Sequence, residues 1–416
     1  MRKTLQFLIV LLIVGTLLAA CSSSKETSGE SSGKGAVELE VVSHKPELNS
    51  VWPKILEQFH KEYPNIKVTV NNPPETATVL QTRAVANDMP DIATFPYNTA
   101  ELGLVYEGYF IDLTKEEFLK SNFSQDVVDD NKIDGVNYFV PYLANGTGIY
   151  YNVDLFNEHD IEIPKTQDEL FEVLDYFKSK GIMGLSFSDQ ELWTIGALGD
   201  RLTGLFFDDK GELFKDIAEG KASAADHQGM KEVAEFILKL HKYGQKDSLG
   251  VGYEQAINEF ANGKAAMMYQ GTFALPLIKE ANPDLNISMF LVPGKTEAET
   301  KVGTNMDYGL AISKDSEYKK EAKIFLEWLT KKETAQKFHD IEGSPSLVNG
   351  VESSVPELEA VTNAIKEGKN FKIPRNYWAP GMVTEFNKVL QDLIATGDVD
   401  ASMKKLDKAV KQIYNK

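Results

Sequence analysis

The 416-residue chain is 42% hydrophobic and 25% charged, the balance of an ordinary globular protein, and its length predicts two or more domains. Its formal net charge of −18 argues against nucleic acid as a partner and against adhesion to anionic lipid by charge. The single cysteine excludes a disulfide framework and a cysteine-ligated zinc site.

The beginning of the chain has the layout of a secretory signal peptide. Arg2 and Lys3 precede an apolar run from Leu5 to Leu18, which small residues follow. The alternative is an uncleaved membrane-spanning helix, but such a helix needs about 20 apolar residues, and this run is interrupted at Gly15. We predict that residues 1–20 are a signal peptide, whose loss takes the net charge from −18 to −20 because two positive charges leave with it.

The next feature is the cysteine itself. The residues "LAAC", which end at Cys21, resemble the lipobox of bacterial lipoproteins, in which the cysteine becomes the first residue and carries lipid. A structural cysteine at the end of a membrane helix is the alternative, and it leaves the following "SSSKETSGESSGKG" unexplained. That segment has too little apolar surface to offset its conformational entropy. We predict a lipidated cysteine and flexible tether over 21–36, anchoring the protein to the outside of the cell membrane.

Strand and helix patterns alternate after the tether. "VELEVVSH", "IKVTV" and "PDIATF" are typical of strands, and between them "SVWPKILEQFHKEYP" and "TATVLQTRAVAND" have helical spacing. This order predicts right-handed parallel crossovers in an α/β layer fold, with ligands at the carboxyl ends of the strands. The loops at those ends are "SHKPELN", "NNPPETA" and "PYNTAEL", and they are candidates to line a cleft.

The middle of the chain carries helix signals but no catalytic motif. Thr166 and Glu169 predict a capping box, and a later helix is predicted to end at Gly263. No GxSxG nucleophile elbow is present, because the GxSxG spacing from Gly29 to Gly33 lies in the polar tether, and there is no HExxH or CxxC motif. "FANGKAAMM" differs from a phosphate-binding loop, since Asn258 and Ala265 stand where glycine and serine or threonine belong. The six histidines lack ligand spacing, and we therefore expect neither a cofactor nor a metal.

Six fragments occur in one order along the chain: "PDI", "YYNVDLF", "IPKTQDEL", "FANGKAAMM", "YGLAIS" and "FLEWLT". In this order they resemble the extracellular solute-binding proteins of bacterial ABC importers, in the family 1 group of maltose and multiple-sugar binders. The resemblance covers essentially the whole chain after the tether. It implies a periplasmic-binding-protein-like α/β fold, with two lobes, a hinge and a ligand cleft between them. It further implies a monomer, not an enzyme, that captures a sugar, expected to be an oligosaccharide, and delivers it to a membrane permease.

The resemblance also implies that the chain crosses between the lobes more than once. It predicts one lobe from 37–143 plus about 289–309, and a second lobe from 144–288 plus about 310–416. The first crossing is expected near Leu143 to Asn145, so the first lobe is discontinuous.

Ligand-contacting residues are implied by the same resemblance. Sugars stack their C–H faces on aromatic rings and need paired donors and acceptors for their hydroxyls. The first-lobe and hinge candidates are Lys45, Phe95, Asn98 and Asn145. The second set is Trp193, Phe273, Asp307 and Trp378, with Phe273 standing where many relatives have tryptophan. Any single aromatic is as easily a core residue, whereas Lys45 and Asp307 are stronger candidates because buried charges need partners.

Two further interpretations stay open at this stage. The chain is rich in acidic residues, and a pair at the required separation would make a surface glycoside-processing enzyme. Within the binding class, peptides, polyamines and iron are alternative ligands, although charged ligands need countercharges that the sequence does not locate.

Overall fold

A computed structural model of the chain describes residues 36–97, 102–207, 209–353 and 355–415. The predicted signal peptide, Cys21 and Asn98 lie outside these residues. The strands are β1 Val37–Val42, β2 Ile66–Asn71, β3 Ile92–Phe95, β4 Val140–Asn152, β5 Met183–Ser186, β6 Ala265–Gly271, β7 Ile287–Phe290, β8 Val302–Ile312 and β9 Asn370–Lys372.

The α-helices of the described residues surround these strands. They are α1 Trp52–Glu62, α2 Thr76–Val85, α3 Leu102–Tyr106, α4 Glu117–Asn122, α5 Gln125–Asp130, α6 Val153–Glu158, α7 Gln167–Ser179, α8 Leu192–Phe206, α9 Glu212–Ala218, α10 Gln228–His241, α11 Tyr253–Ala261, α12 Leu275–Ala281, α13 Lys319–Leu329, α14 Lys332–Glu342, α15 Glu359–Lys366, α16 Met382–Thr396 and α17 Val399–Tyr414. Within the part of the chain that the structure describes, no helix has both the length and the apolar character needed to cross a membrane.

The strands form one curled, mixed sheet. Its order is β2, β1, β3, β8, β4, β6, β5, with β7 beside β4 and β9 beside β8. β1 pairs in parallel with β2 and β3, as the alternating strand and helix patterns predict. β8 runs antiparallel to both β3 and β4. The carboxyl ends of the three parallel strands therefore meet at one edge, and the loop that follows β1 there carries Lys45.

Strand β4 changes partners along its length. Its part up to Gly146 pairs with β8, whereas its part from Thr147 onward pairs with β6 and β7. The change lies beside the predicted crossing at Leu143 to Asn145. A glycine at the change allows close packing, because a Cβ on Gly146 would lie 2.4 Å from Cγ1 of Val361 and would force that side chain to move. A single strand is thus shared by both halves of the sheet.

Each half of the sheet has its own apolar core. Around β1 to β3, aromatic residues of α1, α13 and α14 pack together: Trp52, Phe59, Phe325, Trp328 and Phe338. Around β5 and β6, the helices α7, α8, α10 and α16 contribute apolar residues such as Phe177, Leu198, Ile237 and Phe386. These separate cores correspond to a first and a second lobe.

The packing differs from the predicted lobe boundaries at two segments. The sequence assigns α13 and α14 to the second lobe, yet their Phe325 and Phe338 pack in the first core. It assigns the chain from about 289 to the first lobe, yet β7 pairs with the second half of β4. Helical periodicity shows that a face is buried but not which core it contacts. We propose that α13 and α14 belong to the first lobe and β7 to the second.

Local sequence explains how the helix α7 begins. The Oγ1 atom of Thr166 accepts a hydrogen bond of 3.2 Å from the backbone N–H of Glu169, as the capping pattern predicts. The other half of the predicted box differs, because the Glu169 carboxylate accepts from the N–H of Lys165, one residue before the cap, at 2.7 Å. Side-chain oxygens thus accept from one N–H inside the helix and from one just before its cap, and these two bonds fix where the helix begins.

Candidate ligand-binding site

Lys45 is a buried cation held between two carboxylates. Its side chain lies at the edge where the parallel strands end, and the residue is 4% exposed. The Nζ atom lies 2.5 Å from Oδ2 of Asp307, in β8, and 3.4 Å from Oε1 of Glu342, the last residue of α14. The two charged candidates that the sequence singled out, Lys45 and Asp307, are thus each other's partners in the structure.

The hydrogen bonds continue from Asp307 into the second lobe. Asn145 Nδ2 donates to Oδ1 of Asp307 at 2.9 Å, and Arg201 Nη2 donates to Oδ1 of Asn145 at 3.4 Å. Arg201 also pairs with Asp200 at 2.8 Å, and Asp200 pairs with Arg375. We name the connected set the polar chain; it consists of Glu342, Lys45, Asp307, Asn145, Arg201, Asp200 and Arg375.

The charges in the polar chain stabilise one another. Burial alone would raise the pKa of Asp307, but the Lys45 ammonium and the Asn145 amide hold it below its ordinary value. Burial alone would lower the pKa of Lys45, but Asp307, Glu342 and Glu47 together raise it above its ordinary value. Both side chains are therefore charged at neutral pH, although they are buried.

Aromatic side chains lie beside the Lys45 end of the polar chain. The Nζ atom of Lys45 lies 5.3 Å from the ring centroid of Phe273, in the turn after β6. Trp193, in the first turn of α8, lies 6.0 Å from Phe273 and 5.0 Å from Tyr253, ring centroid to ring centroid. Trp193 is 40% exposed, whereas Phe273 is buried. Part of an indole is thus open to solvent beside a buried polar group.

Glu47 and Tyr253, which also lie in this region, were not selected from the sequence. The Tyr253 hydroxyl donates to Oε1 of Glu47 at 3.0 Å, and burial raises the pKa of Glu47 to about 7. His44 was also missed; its Nε2 lies 3.0 Å from the backbone oxygen of Asp307, and burial lowers its pKa to about 4. Glu47 and His44 flank Lys45 in the loop "SHKPELN", so a wider choice from that loop would have included them.

Two members of the polar chain had weak or absent sequence signals. Asp200 and Arg201 are adjacent charges inside the otherwise apolar helix "LWTIGALGDRLTGLF", a pattern that indicates partners within the core. Glu342 has no such signal, because it ends an amphipathic helix immediately before Gly343, whose φ of 92° terminates α14.

Two predicted aromatic contacts lie away from this region. Phe95, the last residue of β3, is 2% exposed and packs edge-on against Phe110 and Phe139. Trp378 is 4% exposed, and its ring lies 4.7 Å from that of Phe386 and 4.9 Å from that of Phe214. Their surroundings favour packing roles, for Phe95 in a separate apolar cluster with Phe110 and Phe139 and for Trp378 in the second core, rather than the predicted contact with ligand.

Two cavities can be compared with the positions of the predicted site residues. A cavity of about 520 Å³ lies elsewhere, lined by residues of α1, α12 and α14, and it contains none of the predicted site residues. A cavity of about 10 Å³ is lined by Arg201, Thr147 and Tyr269 among others. The Nε atom of Arg201 is buried and has no hydrogen-bond partner within the protein, so its N–H is a donor that a ligand could use. In the described residues, no group of three or more His, Cys, Asp or Glu side chains is placed to hold a metal.

The chain is similar to known binding proteins in sequence. A family model described as "Bacterial extracellular solute-binding protein" matches residues 44–336. The multiple sugar-binding protein of Streptococcus mutans serotype c is 30% identical over 385 residues, which cover 88% of each chain. The galactooligosaccharide-binding protein of Bacillus subtilis is 25% identical over 420 residues, covering 96% of this chain and 94% of the relative.

Solved structures agree with this similarity. The binding protein RafE in complex with raffinose has a TM-score of 0.80 and 26% identity, covering 91% of this chain and 99% of the other. The apo form of RafE from Streptococcus pneumoniae has a TM-score of 0.74 at the same 26% identity, covering 93% and 100%. These neighbours confirm the predicted two-lobed α/β fold. The chain belongs to the family of bacterial extracellular solute-binding proteins, as the order of its six sequence fragments predicted.

Proposed function

We propose that this protein is the substrate-binding component of an ABC importer and captures an uncharged oligosaccharide between its two lobes. The observation that carries the proposal is the polar chain, which runs from the first lobe into the second and is bordered by the exposed indole of Trp193. Hydroxyl groups of a sugar need such fixed donors and acceptors, and its C–H faces need an aromatic surface. The relatives named above for multiple sugars, galactooligosaccharides and raffinose support the same ligand class.

The charge balance of the polar chain, of which Glu47 is not a member, favours an uncharged ligand. Its basic residues Lys45, Arg201 and Arg375 are matched by three acidic residues, Asp200, Asp307 and Glu342. A charged peptide, a polyamine or iron would add a charge with no free countercharge in the polar chain. The proposed ligand residues are therefore Lys45, Asn145, Asp307, Phe273 and Trp193, with Arg201 as an addition from the structure.

The lobe contacts described here are proposed to belong to the closed arrangement. The structure is more similar to the raffinose complex of RafE than to its apo form, with TM-scores of 0.80 and 0.74. A closed arrangement explains why Lys45 of the first lobe lies over Phe273 of the second. We further propose that the protein acts as a monomer and delivers its sugar to membrane permease subunits.

Calorimetric titration with raffinose, stachyose and a galactooligosaccharide tests the proposal. We expect saturable binding of at least one of them, without hydrolysis products by chromatography after prolonged incubation. Binding accompanied by turnover would favour the alternative, a surface glycoside-processing enzyme. Binding of none of the sugars, with binding of a charged peptide or polyamine, would contradict the proposed ligand class.

The first variant to test is Trp193→Ala. Stacking of a ring on an aromatic face contributes roughly 0.5 to 1.5 kcal/mol beyond area burial, and the lost burial adds to that, so the Kd for the bound sugar should rise about tenfold or more. The melting temperature of the unliganded protein should change little, because Trp193 is 40% exposed. Tyr318→Ala is a matched control, since Tyr318 is an aromatic residue of similar exposure, 36%, outside the site. Unchanged sugar affinity in Trp193→Ala would remove Trp193 from the site.

The second variant concerns anchoring. We propose that Cys21, which lies outside the described residues, carries the lipid that holds the protein on the outer face of the cell membrane. Cys21→Ala removes the only sulfur of a cysteine in the chain, and the protein should then leave the membrane fraction. Ser22→Ala serves as the control and should stay in that fraction. Retention of Cys21→Ala in the membrane after a carbonate wash would instead support an uncleaved helix.

A further inference from the structure

Glu47 and Tyr253 form a direct hydrogen bond between the lobes. Leu48, next to Glu47, packs in the first core with Leu39, whereas Tyr253 packs with Phe260 in the second lobe. The Tyr253 hydroxyl donates to Oε1 of Glu47 at 3.0 Å, and the two residues are only 5% and 6% exposed. The contact can therefore exist only when the lobes are together, and separation of the lobes would return the Glu47 carboxyl to water.

The surroundings of Glu47 leave its carboxylate without a full countercharge. The titratable groups that act on it or on its phenol partner are Lys45 in its own loop, Asp307 in β8, Tyr253 in α11 and Tyr150 in β4. Glu191 accepts from the Tyr253 N–H at 3.0 Å. Lys45 already pairs with Asp307 and Glu342. No ion pair formed by the described residues includes Glu47, so Lys45 acts on its charge without a direct ion pair, and its own backbone N–H and the Tyr253 hydroxyl supply the hydrogen bonds.

We propose that closure of the lobes on a sugar makes the Glu47 carboxyl take up one proton from solvent, so that sugar capture is linked to pH near neutrality. The proposal rests on the proposed sugar binding and adds a regulation of the same site. It is carried by the interlobe hydrogen bond and by the burial of an acid whose nearest cation is already paired.

The sign of the pH dependence follows from the two arrangements. In the open arrangement the solvated carboxyl has an ordinary pKa of about 4.3, whereas in the closed arrangement burial raises the pKa of Glu47 to about 7. Between these values the closed arrangement binds one more proton than the open one. Closure is therefore favoured as the pH falls below about 7, and this advantage is lost as the pH rises through that value.

The test is the pH dependence of the Kd for raffinose, between pH 5.5 and 8.5, by calorimetry. For the unmodified protein we expect the Kd to rise about tenfold from pH 6 to pH 8, with uptake of close to one proton per raffinose at pH 6 in buffers of different ionisation enthalpy. In Glu47→Gln the Kd should vary less than twofold over the same range. Glu57→Gln, an identical change at an exposed position in α1, should keep the full dependence.

Three outcomes would overturn the proposal while leaving sugar binding intact: a Kd that does not vary with pH, no proton uptake, or an equal pH dependence in Glu47→Gln. If raffinose does not bind at any pH, stachyose and the galactooligosaccharide take its place in the same series, and failure of all three overturns the proposed ligand class together with this linkage. With saturating sugar, the infrared difference spectrum between the unmodified protein and Glu47→Gln should contain a protonated carboxyl band at pH 6 that disappears by pH 8.5. Absence of that band while sugar is bound would overturn the proposal and leave the proposed ligand class standing.

Discussion

Replacement of Asp307 by alanine is expected to lower the free energy of unfolding by about 3 to 5 kcal/mol, because it leaves a buried ammonium without its principal partner. Lys45 Nζ lies 2.5 Å from the Asp307 carboxylate, and both residues are more than nine-tenths buried. The remaining partner is Oε1 of Glu342, which lies 3.4 Å from Lys45 Nζ and also accepts a hydrogen bond from the Ser344 hydroxyl. Denaturant titration of the unliganded protein measures the loss.

Two controls separate this effect from a general one. Asp307→Asn keeps the shape and an acceptor but not the charge, so its loss should be smaller than that of Asp307→Ala. Glu57→Ala removes a carboxylate from an exposed pair with Lys61 and should change stability little. Equal stability of Asp307→Ala and the unmodified protein would show that the Lys45 pair contributes nothing net.

The same pair predicts how stability depends on pH. The pKa of Asp307 is lowered in the folded protein, so its contribution is present above its unfolded pKa of about 3.9 and is lost as the pH falls through the folded value. The pKa of Lys45 is raised, so its contribution is present below its unfolded pKa of about 10.4 and is lost as the pH rises through the folded value. The difference between the unmodified protein and Asp307→Ala should therefore narrow as the pH falls below about 4.

Trp378→Ala is expected to cost about 3 to 5 kcal/mol of stability as well, but for a reason of packing. The indole is 4% exposed and lies between Phe214 of α9 and Phe386 of α16, so its removal leaves a cavity in the second core. Sugar affinity of the folded variant should stay within a few-fold of normal. Calorimetric unfolding and sugar titration of the same sample provide both measurements.

Trp193→Ala is the natural comparison, because it should give the reverse pattern of effects. If Trp378→Ala kept its melting temperature and lost sugar affinity, Trp378 would be the ligand contact that the sequence resemblance implied. The contacts of Trp378 with Phe214 and Phe386 would then contribute little to stability.

Much of the fold could be predicted because it depends on local order. Alternating strand and helix patterns predicted the parallel pairing of β1, β2 and β3. The requirement that buried charges be paired singled out Lys45 and Asp307, which lie 262 residues apart in sequence and 2.5 Å apart in the structure. Periodicity identifies a strand or a helix, and charge identifies a residue that needs a partner when it is buried. Neither inference requires that the distant partner be known.

Other predictions meet contacts that the local sequence does not show. "RNYWAPG" lacks periodicity and was predicted as a ligand loop, and after the short helical turn Pro374–Tyr377 the indole of Trp378 packs against Phe214, in the distant helix α9, and against Phe386. Phe95 ends a strand in which all four residues are buried, so a position at the carboxyl end of β3 did not imply exposure to a cleft. The lobe to which α13 and α14 belong likewise depends on which core their apolar faces contact, and those contacts are distant in sequence.

The sharing of β4 between the lobes limits how this protein can be recombined. Its residues up to Gly146 complete one half of the sheet, and those from Thr147 onward complete the other. A gene exchange with one crossover therefore cannot replace one lobe by that of a relative, since the incoming segment would have to match the strand register of both halves. Point substitutions at Lys45, Phe273 and Trp193 lie outside the shared strand and leave its register unchanged. We propose that such substitutions allow the scaffold to take a new ligand while both halves of the sheet are kept.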